Sequence, residues 1–276
     1  MTETTHREIV EPAAKKPEKK EDWKSFLWFC VKLALIVAIF RSFIFTSFNI
    51  PSESMMPRLL VGDYLFAQKW SYGYSNRSLP FNLPLLPESR LLASSPEPGD
   101  IVIFEHPVDG TDYIKRVIGL PGDEIQVIDG VLHINRQPVG HERIEDFVLP
   151  TTVERGCGSG RSDFTVRTDE GFECRFPQFR ETLPSGVSYN ILDFGPSGFN
   201  SRWNVDADNT APYIVPEGTF FAMGDNRDNS LDSRFPAAAG AGVGFVPQDN
   251  LVAQATFMYW SWGDGVRWSR IGRGIE

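Results

Sequence analysis

The chain has 276 residues, 41% of them hydrophobic and 23% charged, enough for one large or two modest packed domains. A net charge of −9 argues against nucleic acid as the main partner. Three cysteines with no Cys-x-x-Cys, and four scattered histidines, leave no metal-ligand spacing.

The 20 prolines and 24 glycines favour many short strands and turns over long helices. Residues 1–25 are polar, with Lys15, Lys16, Lys19, Lys20 and Lys24 near their end, and read as a disordered cytoplasmic tail. The run FLWFCVKLALIVAIFRSFIFTSF at 26–48 follows, and its 23 residues can span a bilayer. A transmembrane helix is expected over 26–47. Lys32 and Arg41 can snorkel to opposite interfaces, and the preceding lysines put the N-terminus in the cytoplasm. Arg41 within the run, and no Ala-x-Ala after it, favour a retained anchor over a cleaved signal. No later stretch approaches 18 apolar residues, so one span and an outside ectodomain are expected.

At 51–63, in PSESMMPRLLVGD, Ser52 and Ser54 lie between Pro51 and Pro57. The prolines restrict the backbone, and a hydroxyl on a constrained turn is held as a nucleophile must be. Ser and Pro are also ordinary loop residues, so this stretch alone does not decide. A strand is expected over 64–70, then a Pro/Ser/Leu-rich loop over 71–98. Leu83, Leu85, Leu86, Leu91 and Leu92 leave that loop a partly exposed apolar surface. Strands are expected over 101–104 and 113–120, and a hairpin over 124–135 around Asp129-Gly130.

Alternation on 113–120 puts Tyr113, Lys115 and Val117 on one face and Ile114, Arg116 and Ile118 on the other. Whichever face is core, one cation points with it. A desolvated lysine has a lowered pKa and can serve as a general base, whereas an edge lysine guards against aggregation. Residues 141–212 read as an inserted subdomain with weak short strands. They carry Cys157 and Cys174, 17 residues apart, which outside the cytoplasm could form a disulfide. Strand character returns at 213–223. The polar turn GDNRDNSLDSR at 224–234 follows, and a last strand at 251–262 ends near Trp260 and Trp262. An EF-hand read from Asp228 fails, because Ser233 and Ala239 fall where glycine and glutamate are needed. The turn can instead be an ordinary turn, or support for a site.

Four blocks occur in order: PSESMMPRLLVGD at 51–63, PGDIVIF at 98–104, YIKRVIGLPGD at 113–123 and GDNRDNSLDSR at 224–234, with GFVP at 244–247 as a short fifth. After an N-terminal span, this set resembles bacterial signal peptidase I. The resemblance implies a mostly β fold: an antiparallel catalytic ectodomain from 48–140 and 213–276, the smaller β subdomain 141–212 inserted, and one transmembrane helix before them. It implies Ser54 as nucleophile, Lys115 as general base, and Ser52 with the Ser54 N–H as oxyanion donors. Ser230 would orient the lysine amine, and Asp232 and Arg234 would form a supporting ion pair. Shallow pockets for small side chains would be lined by Phe48, Ile50, Pro51, Met55, Leu59, Ile103, Tyr113 and Ile114. The expected substrates are signal peptides of translocated preproteins, cut after small residues in an Ala-x-Ala pattern. The expected partners are membrane phospholipid and, transiently, the secretion machinery. No metal or organic cofactor is implied. The expected site is the bacterial inner (plasma) membrane, with the catalytic domain on its outer side. Glu53 departs from the resemblance, which calls for a small residue there.

Overall fold

A computed structural model describes residues 23–79, 86, 90–152, 156–157, 162–169, 171–196, 199–200 and 205–275. The chain begins with α1 (Trp23–Phe43) and continues as β1 (Phe45–Asn49), β2 (Asp63–Gln68), β3 (Ile101–Glu105), β4 (Asp112–Gly119), β5 (Glu124–Ile128), β6 (Val131–Ile134), β7 (Gln137–Pro138) and β8 (Gly140–Thr151). It goes on through β9 (Thr165–Thr168), β10 (Gly171–Thr182), β11 (Ser188–Leu192), β12 (Phe199–Asn200), β13 (Val205–Asp206), β14 (Tyr213–Ile214), β15 (Thr219–Met223), β16 (Val246–Pro247) and β17 (Leu251–Ser261).

The chain divides into two units, 1–38 and 39–276. Of the first, the described part is helix. At about 1.5 Å per residue, the 21 residues of α1 reach roughly 31 Å, the thickness of a hydrocarbon core. Among the described residues this is the helix long and apolar enough to cross a membrane. It ends at Phe43, short of the expected 47. Phe45–Asn49 instead pairs antiparallel with β2, from Phe45 opposite Gln68 to Asn49 opposite Tyr64. Phe45 packs on Phe66 and Phe257 there, so its apolar side chain serves a sheet as well as it would serve lipid. Of the expected disordered tail, only Trp23 to Ser25 fall within the described residues, and they form the start of α1 instead, three residues before the expected helix start.

In the second unit a seven-stranded antiparallel sheet runs β1-β2-β17-β3-β4-β15-β16. A second sheet, β11-β10-β8, has β9 against β10, and a third runs β14-β5-β6-β7. The β5–β6 hairpin turns through Asp129 and Gly130, both at positive φ (49° and 77°), as a tight two-residue turn requires. One core cluster joins Ile50, Met55 and Leu59 of the 50–63 turn to Leu65, Ile103 and Ala253 of the large sheet. A second joins Ile118 and Phe221 to Leu183 and Ile191 of the 141–212 segment.

Residues 141–212 depart from the expectation of weak short strands. β8 and β10 have twelve residues each and pair over nearly their whole length. Nor does the segment keep a core to itself. Phe176 and Leu192 pack with Met56 and Leu60 of the 50–63 turn. β10 and β11 bury Phe176, Tyr189, Ile191 and Leu192 in clusters shared with residues outside the segment, whereas β8 stays partly exposed throughout. Cys157 and Cys174 are joined in a disulfide at that contact. Of the expected exposed leucines, Leu91 and Leu92 are exposed and Leu86 is half-buried, while Leu83 and Leu85 lie outside the described residues.

Candidate active site

The 50–63 turn is closed at its base, where Ile50 N–H donates to the Asp63 carbonyl (2.8 Å) and Gly62 N–H to the Ile50 carbonyl (3.0 Å). Met55 and Leu59 are fully buried and anchor it to the core. The Asp63 carboxylate is fully buried and accepts from Leu60 N–H (2.7 Å), Ser261 Oγ (2.6 Å) and Arg270 Nη2 (2.5 Å). The C-terminal segment therefore clamps the turn's far end. At its tip, Ser52 Oγ and Ser54 Oγ lie 3.4 Å apart, with Ser54 buried and Ser52 exposed.

Strand β4 delivers Lys115 to this tip. Its Nζ is 2.8 Å from Ser54 Oγ and donates to the Ile114 carbonyl at 3.0 Å. The side chain is buried, and burial lowers the amine to about 8 against the opposing pull of Asp232 and Asp225. The amine is thus partly free near neutral pH, with a lone pair able to take the Ser54 proton.

Sequence alternation predicted one buried cation on β4, but both Lys115 and Arg116 are buried. Each finds a partner: Lys115 meets the Ser54 hydroxyl and the Ile114 carbonyl, and Arg116 meets a carboxylate. Arg116 forms a two-pronged pair with Asp225 (2.8 and 2.7 Å) and stacks 4.0 Å over the Tyr189 ring. Asp225 belongs to the 224–234 turn, which holds two further buried pairs. Arg234 grips Asp232 at 2.9 and 3.0 Å. Arg227 grips Glu181, with one contact at 2.6 Å. Burial alone would raise the Asp232 carboxyl. The Arg234 guanidinium and the N–H groups of Gly224 and Arg234 more than offset that and hold it below its ordinary value.

The same turn touches Ser54 and Glu53 directly. Asn226 N–H donates to the Ser54 carbonyl at 3.0 Å, and Asn226 Nδ2 donates to the Glu53 carbonyl at 3.1 Å. Asn229 Nδ2 donates to Glu53 Oε2 at 2.9 Å. Gly224 lets the two segments approach this closely. A Cβ there would lie 2.3 Å from Ser230 Oγ and 2.5 Å from the Ser54 carbonyl oxygen. Ser230 itself makes no hydrogen bond to the lysine. Its Oγ is buried in the same cavity wall and has no hydrogen-bond partner among the described residues. The Lys115 amine is already engaged by Ser54 and Ile114.

A cavity of about 570 Å³ opens over the pair, its wall including Ser52, Ser54, Tyr113, Lys115, Asp228 and Ser230. Of the eight residues expected to form pockets, Pro51, Tyr113 and Ile114 line it. Ile50, Met55, Leu59 and Ile103 are instead buried in the core beneath, and the partly buried Phe48 packs against that core. They alternate inward because the turn and β3 need those side chains for packing. Sequence reasoning missed Asp225, Arg227, Glu181, Asn226 and Asn229. All but Glu181 lie in the polar turn already singled out. Glu181 sits in 141–212, where no local pattern marked it.

Among the described residues no imidazole lines this cavity. Its one amine and one hydroxyl in contact can carry acyl transfer without metal or cofactor, the amine as base and the hydroxyl as nucleophile. A family model described as "Signal peptidase, peptidase S26" matches residues 23–260. Signal peptidase I of Rickettsia conorii is 38% identical over 245 residues, covering 88% of this chain and 80% of its own. That of Rickettsia akari is 39% identical over the same shares. That of Rickettsia bellii is 34% identical over 278 residues, covering 92% of this chain and 85% of its own. A crystal structure of a signal peptidase I from Enterococcus faecalis is 23% identical and covers 58% of this chain and 97% of that one, with a TM-score of 0.29. The chain belongs to the signal peptidase family, peptidase S26. It is a serine endopeptidase of the signal peptidase type, and the apolar helix α1 makes it a membrane-anchored one.

Proposed function

We propose that this enzyme removes signal peptides from translocated preproteins with a Ser54–Lys115 dyad, cutting after small residues. The carrying observation is the 2.8 Å contact between a buried lysine amine and a serine hydroxyl on a clamped turn. A membrane-tethered module that only binds exported proteins would not need that contact.

Lys115 Nζ takes the Ser54 proton as Oγ attacks the scissile carbonyl. The charge that develops on the carbonyl oxygen is met by the Ser54 N–H and the Ser52 hydroxyl. The C–N bond then breaks, and the protonated Lys115 gives its proton to the leaving amine. The free amine next takes a proton from water. Hydroxide adds to the ester, and Ser54 regains its proton as the signal peptide leaves. Ser230, in the same wall, would meet the amine as it gives up Ser54. Asp232 and Arg234 hold the turn that carries Ser230. Tyr113, Ile114 and Pro51 would face the small side chains before the cut. The chain would sit once through the bacterial inner membrane, N-terminus in the cytoplasm and catalytic unit outside. The exposed Leu92, Trp262 and Trp268 support contact with phospholipid, and the secretion machinery would present the substrate.

The test is cleavage of a purified preprotein by the full chain in detergent and lipid, beside Ser54→Ala and Lys115→Ala, with the new N-terminus read by mass spectrometry. One cut after a small residue, lost in both variants, is expected. Equal cleavage by Ser54→Ala would sink the dyad.

A further inference from the structure

Glu53 stands beside the nucleophile where a small residue was expected. A carboxylate there is a liability, because negative charge develops on the carbonyl that Ser54 attacks. The polar turn holds this residue at both ends. Asn229 Nδ2 donates to Glu53 Oε2 (2.9 Å), and Asn226 Nδ2 donates to the Glu53 carbonyl (3.1 Å). That carbonyl also accepts from Met56 N–H at 3.0 Å. The Glu53 carbonyl and the Ser54 N–H belong to one planar trans peptide unit, so they point in opposite directions. Fixing the carbonyl therefore fixes the aim of the N–H. Donors on the carbonyl also polarise the unit and strengthen that N–H as a donor.

We propose that Glu53 is a positioning residue: latched to Asn229, its side chain holds the Glu53–Ser54 peptide unit so that the Ser54 N–H meets the oxyanion, and keeps its own charge on the Asn229 side. This rests on the reading of Ser54 as nucleophile. The latch spans 176 residues of sequence and ties the nucleophile turn to the loop that carries the ion pairs.

The full-length enzyme in detergent and lipid is assayed for preprotein cleavage and for inhibition by a substrate-like peptide aldehyde, whose hemiacetal oxygen takes the oxyanion position. Glu53→Ala should lower kcat about tenfold, the worth of one hydrogen bond to a charged group. KM and the urea midpoint should hold, and the aldehyde should bind weaker by a similar factor. Glu53→Gln, whose amide oxygen still accepts from Asn229, should recover most of the loss. The acid limb of the pH–rate profile should stay in place in both variants, whereas a charge effect on Lys115 would move it. Asn229→Ala should match Glu53→Ala, and the double variant should be no worse than either. An unchanged kcat in Glu53→Ala, a loss confined to KM, no recovery with Glu53→Gln, or additive losses would each overturn the latch. Ser54→Ala run alongside separates the two ideas. If it still cuts, the nucleophile is wrong; if it is dead while Glu53→Ala is normal, only the latch is.

Discussion

Lowering the pH from 9 to 6 should remove activity by a calculable amount, because the proposed base is a lysine with its amine near 8. At that value about nine-tenths of the amine is free at pH 9, half at pH 8 and about 1% at pH 6. The acid limb of kcat/KM should therefore bend near pH 8 and fall about tenfold per pH unit below 7, some ninety-fold in all from pH 9 to 6. A lysine at its ordinary value would be only about 0.3% free at pH 8, so burial raises the working base population by about two orders of magnitude. The causes fix the sign. Burial disfavours the charged form and dominates, while Asp232 and Asp225 oppose it. The assay is initial-rate cleavage of a preprotein at limiting concentration from pH 5 to 10, at constant ionic strength. Unfolding is followed over the same range, so that loss of fold is not mistaken for loss of base. A profile flat between pH 5 and 8, or a bend near 10.5, would refute the reasoning. A bend near 6.5 would point to an imidazole, which the cavity wall lacks among the described residues.

The same burial carries a stability cost. Lys115→Met should abolish cleavage yet raise stability at pH 7 by about 1–2 kcal/mol, the desolvation cost less two lost hydrogen bonds. That gain should shrink between pH 8 and 10.5, where the unfolded wild type holds a proton that the folded state has released, as paired urea melts would reveal. Gly224→Ala should cut kcat by at least about a hundredfold while leaving far-UV circular dichroism intact, because its Cβ would push on the Ser54 carbonyl and Ser230. Arg116→Leu leaves Asp225 buried and unpaired, and should cost about 3–5 kcal/mol in urea unfolding. A cost below 1 kcal/mol would mean that water reaches the pair.

Features that local sequence can encode were legible. Pro51, Pro57 and the serines between them mark the turn, and the alternation over 113–120 puts Lys115 on a strand. Asp129-Gly130 marks a hairpin. What stayed hidden depends on partners far away in sequence. The polar turn could be read as support, but that Asn229 meets Glu53 or Arg227 meets Glu181 is decided by packing across 176 and 46 residues. The helix end was misjudged because Phe45 and Phe48 are as apolar in a sheet as in a bilayer. The long β8–β10 pairing was missed because the buried polar Gln178 and Glu181, and the register shift between Phe176 and Gln178, break the alternation on the inner face of β10. Four of the apolar residues expected to line pockets, Ile50, Met55, Leu59 and Ile103, pack as the floor under the site, which local sequence cannot distinguish from its wall.

Lys115 and Arg116 sit side by side on β4, one meeting Ser54 and the other Asp225. A slip of β4 by a single residue would put either Arg116 or Ile114 in the place of Lys115. In the first case a guanidinium, which cannot release its proton at these pH values, would face the serine and Val117 the buried carboxylate; in the second no base would face the serine, and a single-pronged ammonium would face the carboxylate. The strand's register, set by Val102 opposite Lys115 and Ile101 opposite Arg116, is thus checked by charge as well as by shape. A misregistered chain would be both inactive and unstable, so the peptidase is active only once its own strands are correctly assembled.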